Sequence, residues 1–393
     1  MTDSRVGGED GTVFVDDDVD PPDEHATAPT PSITTDATTA ETFLIDIALP
    51  LDSVASLLGG ASGCRTRAIY DRPMTQSPTR RVVTGITAAG EHVIVSDGVA
   101  PNSVDTGTFA VSEVFWSEGP RRHIGDDPDR TSPGFPLEPP PGGISGRIIR
   151  MPGLAPGIDP DDAWLRVDGD EPDVPGMHAT DTLDLMVMLE GSVVLGLDDG
   201  ERVLGPGEYV VQRGTRHRWR AADEHGWTYF VAMMRPDPGA ADSIVGLKPA
   251  SVGDRPIRRV VTGDAILDGG CSDAIGNTST VMTDIWHSGG PLTSADQGGD
   301  PSGPWSLEPA PGGMWFREVE LTPGPPIEAG WHTTTTVDID VVLRGQVMLE
   351  LPGGISTILG PGDVVIQRGT DHRWTAVGDA RFAMASVMID AED

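Results

Sequence analysis

Gln212-Arg213-Gly214-Thr215-Arg216-His217-Arg218-Trp219 returns later in the chain as Gln367-Arg368-Gly369-Thr370-Asp371-His372-Arg373-Trp374. Working outward, Leu204-Gly205-Pro206-Gly207 matches Leu359-Gly360-Pro361-Gly362, and Leu189-Glu190-Gly191 matches Leu343-Arg344-Gly345. Further upstream, Leu137-Glu138-Pro139-Pro140-Pro141-Gly142-Gly143 matches Leu307-Glu308-Pro309-Ala310-Pro311-Gly312-Gly313, and Arg80-Arg81-Val82-Val83-Thr84-Gly85 matches Arg258-Arg259-Val260-Val261-Thr262-Gly263. Matches in one order over such a length mark an internal duplication. The copies drift in spacing, so the first holds extra residues, most of them in the acidic stretch 159–173, read as a loop that makes the two mouths unequal.

The 393 residues suit two domains plus tails. The 50 Gly and 35 Pro are scattered among apolar β-branched runs and read as turns between short strands. In the first copy, strands are expected at 185–189, 192–197, 202–204, 209–211 and 228–233, with a hairpin at Asp198-Asp199-Gly200. The expectation is an all-β chain with two antiparallel barrels in tandem, whose closure removes exposed edges. Its bounds are a disordered acidic tail at 1–40, an apolar arm at 41–79 with a short helix near Val54, Leu57 and Leu58, a barrel at 80–236, a linker at 237–257, and a barrel at 258–390.

A formal charge of −34 disfavours nucleic acid and anionic membranes as partners. Cys64 and Cys271 are too few for a disulfide scaffold, which fits a reducing cytoplasm. No basic stretch followed by an apolar core opens the sequence, and no apolar run reaches the ~20 residues a spanning helix needs, so a soluble protein that is not exported is expected.

Chemistry concentrates in His178-Ala179-Thr180-Asp181-Thr182-Leu183-Asp184 and its copy His332-Thr333-Thr334-Thr335-Thr336-Val337-Asp338. On one straight strand, at roughly 3.3 Å per residue, the His and Asp would stand about 20 Å apart, so a turn must lie between them. The threonines can supply it, because their hydroxyls favour tight bends. A second histidine, His217 or His372, follows a Gly-Pro-Gly turn and a short strand. A His and Asp in a barrel can also be a buried structural couple that holds nothing.

These segments resemble the cupin superfamily over roughly residues 80–235 and 258–390, in particular small stand-alone cupins with His-x-Thr-Asp-Thr-x-Asp and Gln-Arg-Gly-Thr-x-His segments. The resemblance implies two double-stranded β-helix (jelly-roll) barrels, a bicupin. By position it implies His178, Asp184 and His217, then His332, Asp338 and His372, as ligands of one divalent transition metal per barrel. Fe(II) suits such a set, with Mn, Ni or Zn as alternatives and an ion-free site as another. Thr180 and Thr334 stand where metal-binding cupins carry another His, and Asp replaces the usual Glu.

Around these catalytic candidates, Thr180, Gln212, Trp219, Thr334, Gln367 and Trp374 are candidates for substrate contact. The glutamines could equally brace the loop, and the tryptophans could be core. Arg81 and Arg259 could meet a carboxylated ligand or form salt bridges. Glu138 and Glu308 read as loop residues, and His92, His123, His225 and His287 as incidental. The resemblance implies an enzyme of small-molecule metabolism, secondary or polyketide-type, performing metal-assisted oxygenation, dehydration, isomerisation or decarboxylation on a small organic substrate. Alternatives are a metal-free acid/base dehydratase or isomerase and a non-catalytic small-molecule-binding bicupin. A homodimer is compatible with how cupin sheets pair.

Overall fold

The computed structural model describes residues 78–392 apart from 108, 121, 168, 242, 272, 273, 277 and 278. The acidic tail, the arm up to residue 77 and Cys64 lie outside the described residues.

Each copy folds into strands where its apolar residues alternate. In the first, Leu183–Glu190 is flanked by Tyr209–Arg213 and Trp227–Met234, and Ile144–Met151 extends the sheet beyond. The second repeats this with Thr336–Arg344, Val364–Arg368, Phe382–Asp390 and Met314–Leu321. A smaller three-stranded sheet completes each barrel: Val193–Leu197 with Gly200–Leu204 and Arg218–Ala221, and Gln346–Leu351 with Ile355–Leu359 and Arg373–Val377. The hairpin at Asp198-Asp199-Gly200 forms as the sequence predicts, with Gly200 at φ 130°. The chain is all-β, two antiparallel cupin-type barrels in tandem.

Successive side chains of a strand point to opposite faces, and here the two faces serve different cores. Leu183, Leu185, Val187 and Leu189 join Val337, Ile339 and Val341 in a single cluster that binds the two eight-stranded sheets together. Met186 and Met188, on the other face of the first strand, fill the first barrel with Val193, Leu195 and Trp227. The second barrel is filled by Val342, Val347, Leu349 and Phe382. The sheets approach closely: a Cβ on Gly146 would lie 3.3 Å from Ile339 Cδ1. Tyr209 donates to Glu318 Oε2 across the junction at 2.8 Å.

The sheets do not follow the linear boundaries. Arg80–Ile86, which the sequence reading gives to the first barrel, runs parallel to Val364–Arg368 of the second, with Val82 opposite Val365. Gly253–Val261 runs parallel to Tyr209–Arg213 of the first, with Val260 opposite Val210. Each copy therefore lends its first strand to the other's sheet. Val82 is buried in the second barrel's interior cluster and Val260 in the first's. A fully buried valine contributes about 1.5–3 kcal/mol, so exchange ties the copies together by core packing as well as by backbone pairing. The stretch read as a linker is part of the fold: Leu247–Lys248 pairs with Asp300–Pro301, and the exchanged strand begins at Gly253.

Candidate functional site

The bend required between His178 and Asp184 is present. His178 and His217 exchange two backbone hydrogen bonds of 3.0 and 2.9 Å, and Asp184 lies on the strand that starts at Leu183. His332 and His372 do the same, at 3.0 Å each. Glu138 and Glu308 are more than loop residues, because they fasten these bends: Asp181 N–H donates to Glu138 Oε1 at 3.1 Å and Thr335 N–H to Glu308 Oε1 at 2.8 Å. Their recurrence before the Pro-rich runs was the available signal. Thr182 donates to Thr180, and Thr336 to Thr334, at 2.8 Å. The positions where metal-binding cupins place another His thus hold threonines bonded within the bend.

The pairing brings imidazoles together, with ring centroids 4.3 Å apart in the first barrel and 4.2 Å in the second. Each Nδ1 lies 2.8–2.9 Å from a backbone carbonyl, of Gly176, Thr215, Gly330 or Thr370. A carbonyl can only accept, so in a neutral ring such as His217 the Nδ1 carries the proton and Nε2 keeps its lone pair. Burial, then the neighbouring imidazole, pushes His217 and His372 each down to about 3, so both are neutral near pH 7.

Asp184 and Asp338 occupy equivalent interior positions. Each sits between a methionine and a glutamine on its neighbouring strands: Met233 and Gln212 for Asp184, Met388 and Gln367 for Asp338. Burial raises Asp184 to about 7; Glu138 adds to this and the Thr182 hydroxyl opposes it. Asp338 is raised well above an ordinary carboxyl by burial and then by the charge of Asp340. In both residues Oδ1 is buried without a hydrogen-bond partner.

The residues fit the implied metal poorly. Among the described residues, no three His, Cys, Asp or Glu side chains form a group able to hold an ion. The sets His178, Asp184, His217 and His332, Asp338, His372 are therefore not assembled as ligands. Two imidazoles meet in each barrel. The aspartate, held on its own strand and one methylene shorter than the usual glutamate, does not complete the set.

The remaining candidates divide. Gln212 and Gln367 brace the loop, each Nε2 donating to the carbonyl and hydroxyl of Thr215 or Thr370. Gln212 Oε1 stays buried without a partner. Trp219 and Trp374 are wall residues, packed on the barrel interiors with their rings edge-on to His217 and His372 at 5.8 Å. Arg81 and Arg259 are buried and bonded within their own copies, to Asp129 and Asp300. The contacts between copies belong to the preceding arginines: Arg80 reaches Asp363 at 2.9 Å and Arg258 reaches Glu208 at 3.1 Å.

His287, read as incidental, is buried in the second barrel's sheet. Its ring stacks on Trp315 at 4.6 Å and its Nε2 lies 3.2 Å from Asp284, which pairs with Arg317 at 2.5 Å. It has no histidine counterpart because strand register places Trp116 there in the first copy. The acidic insertion also has a structural role: it carries Trp164, buried with the Arg218 guanidinium 3.8 Å over its ring. In the second copy Trp331 sits beneath Arg373 at 4.9 Å.

Comparison with known proteins agrees with the cupin resemblance. The family of AraC-like ligand binding domains matches residues 165–261, a stretch ending with the exchanged strand. The chain is 42% identical over 83 residues to oryzines biosynthesis cluster protein J of Aspergillus oryzae, covering 21% of this chain and 45% of that protein. It is 32% identical over 84 residues to cupin-domain-containing oxidoreductase fogC of Aspergillus ruber, covering 21% and 40%. The chain thus spans less than half the length of these relatives. Among solved structures it is similar to an oxalate decarboxylase of Lactobacillus farciminis at 12% identity and a TM-score of 0.34, over 63% of this chain and 77% of that one. In its sequence matches the chain is similar to cupin-domain proteins, and its sheets form two barrels in tandem.

Proposed function

We propose that this two-barrel cupin is an enzyme of secondary metabolism that moves a proton on a small organic substrate, as an isomerase or dehydratase. One observation carries the reading: each barrel pairs two imidazoles, Nδ1 held by backbone carbonyls, and buries an aspartate with an unpartnered oxygen on the strand that follows the first of them. A neutral Nε2, its pKa held low by burial, accepts a hydrogen bond from the substrate and orients it. A carboxyl poised near neutral pH, as burial makes Asp184, can give a proton. General acid and base groups work best with pKa values near the operating pH. The apolar, Met-lined surroundings of the first barrel exclude water, and they suit a substrate with few charges. The secondary-metabolism setting is supported by the name of the Aspergillus oryzae relative, a biosynthesis cluster protein.

The mass of the product tests this directly. Purified protein is incubated with the metabolite that accumulates in a strain lacking this gene, and the product is weighed by mass spectrometry. An unchanged mass, or the loss of one water, supports proton transfer. Gain of oxygen overturns it and favours the oxidoreductase reading suggested by the Aspergillus ruber relative's name. His217→Gln with His372→Gln should lower turnover by about 100-fold or more.

A second reading, a non-catalytic ligand-binding bicupin, is favoured by the match to a ligand-binding domain. Saturable binding of that metabolite without turnover would establish it.

A further inference from the structure

The strand exchange carries a polar consequence as well as an apolar one. It places Thr84, from the first copy, against the Gln-Arg-Gly-Thr loop of the second, and Thr262 against that of the first. Thr84 Oγ1 accepts from the Arg368 N–H at 3.1 Å and from the Thr370 hydroxyl at 3.2 Å, and it donates to Gln367 Oε1 at 2.9 Å. One donor and two acceptor positions are all a hydroxyl has. With its oxygen held, the Gln367 amide turns its nitrogen the other way, 2.8 Å from His372 Nδ1.

Two demands therefore meet at His372 Nδ1. The Thr370 carbonyl at 2.8 Å requires a proton there, whereas a Gln367 N–H turned onto Nδ1, in place of one of the two that reach the Thr370 carbonyl and hydroxyl, requires a lone pair. No single tautomer serves both, so the hydroxyl that orients Gln367 biases the ring. In the first barrel Thr262 accepts from the Arg213 N–H at 2.9 Å and the Thr215 hydroxyl at 2.7 Å, but donates to the Val211 carbonyl at 3.4 Å. Gln212 Oε1 is left unpartnered, and Thr215 alone links Thr262 to His217. The loop arginines clasp across the copies too: Arg368 bonds the carbonyls of Ile124 and Asp126, and Arg213 that of Asp296.

We infer that Thr84 and Thr262 are positioning residues acting across the duplication: each copy orients the second imidazole of the other copy's barrel, Thr84 through Gln367 and Thr262 through Thr215. The functional weight of this rests on the imidazoles being the working groups proposed above. The test reads the rings without substrate, so it fails or succeeds separately from that proposal.

Imidazole ¹⁵N signals of the full chain are assigned with His217→Gln and His372→Gln. Thr84→Val, which keeps shape and loses the hydroxyl, should displace the His372 signals toward an unopposed Nδ1–H form and leave those of His217 in place. Thr262→Val should move only His217, and by less. Thr84→Ser should restore the native His372 signals, a rescue that a merely structural role would not require to be specific to one ring. If valine disturbs the strand, Thr84→Ala must give the same displacement. Unmoved His372 signals in Thr84→Val, or equal movement of both histidines, would overturn the inference.

Discussion

The two barrels keep one row of residues and diverge in the next. Across the sheet at the level of the aspartate, Asp184 beside Gln212 in the first barrel answers Asp338 beside Gln367 in the second. One step along the same faces, Met186 and Val231 of the first barrel become Asp340 and Ser386 in the second. Burial raises Asp340 to about 7. The strand Thr336–Arg344 thus buries two acids where Leu183–Glu190 buries one, and Arg317 is held by a shorter acid, Asp284, where Arg147 is held by Glu113. Duplication preserved the paired imidazoles and the single carboxyl. It left the surrounding polarity free to change, so the copies share a chemistry but not a pH response.

The largest expected effect separates the two buried arginines. Arg317→Met leaves buried Asp284 with the His287 ring at 3.2 Å in place of a guanidinium, and breaking a buried pair this way costs about 3–5 kcal/mol. Arg147→Met should cost less, because Glu113 keeps the Ser132 N–H at 2.7 Å and the Asn102 amide at 3.2 Å. Urea midpoints of the two variants measure the gap; equal losses would break the contrast.

Next is the acid that only the second barrel carries. A carboxyl whose folded pKa is raised from 3.8 to about 7 binds its proton more tightly when folded, so stability is lost as pH rises through that window. Asp340→Asn should therefore gain up to about 4 kcal/mol at pH 8 and almost nothing at pH 4. Met186→Asp, the reciprocal change, should introduce the same loss into the first barrel. Unfolding at both pH values shows whether the dependence follows the residue.

The imidazoles have the opposite sign and should not distinguish the barrels. Their folded pKa of about 3 lies below the ordinary 6.5, so the stability they allow is full above 6.5 and is lost as pH falls toward 3. His217→Gln and His372→Gln should flatten this acid limb alike. The smallest effect expected is at the bends: Glu138→Ala and Glu308→Ala should each cost about 1 kcal/mol, the worth of one hydrogen bond to the backbone.

Much of the fold was legible in the sequence because the repeat is a pattern along one chain. The strands from Leu183 to Met234, the Gly200 hairpin and the bend before Asp184 follow from alternation and turn chemistry. The exchange of Arg80–Ile86 and Gly253–Val261 was not legible, since Arg-Arg-Val-Val-Thr-Gly reads alike whichever sheet receives it. The site was half legible. The histidine pairs stand together, but whether Asp184 and Asp338 reach them depends on register within the barrel, which spacing cannot supply. His287 gives no signal in the repeat, because it lies where the copies differ and Trp116 takes its place.

The central claim, proton transfer by the barrel's own carboxyl on a substrate that its imidazoles orient, is tested most directly by pairing metal analysis with turnover. The full chain is dialysed against a chelator, its content of Fe, Mn, Ni and Zn is measured, and turnover of the accumulated metabolite is followed. The account predicts undiminished turnover at substoichiometric metal, with the loss confined to the histidine and aspartate variants. Turnover that disappears on chelation and returns with one equivalent of a divalent ion per barrel would contradict it.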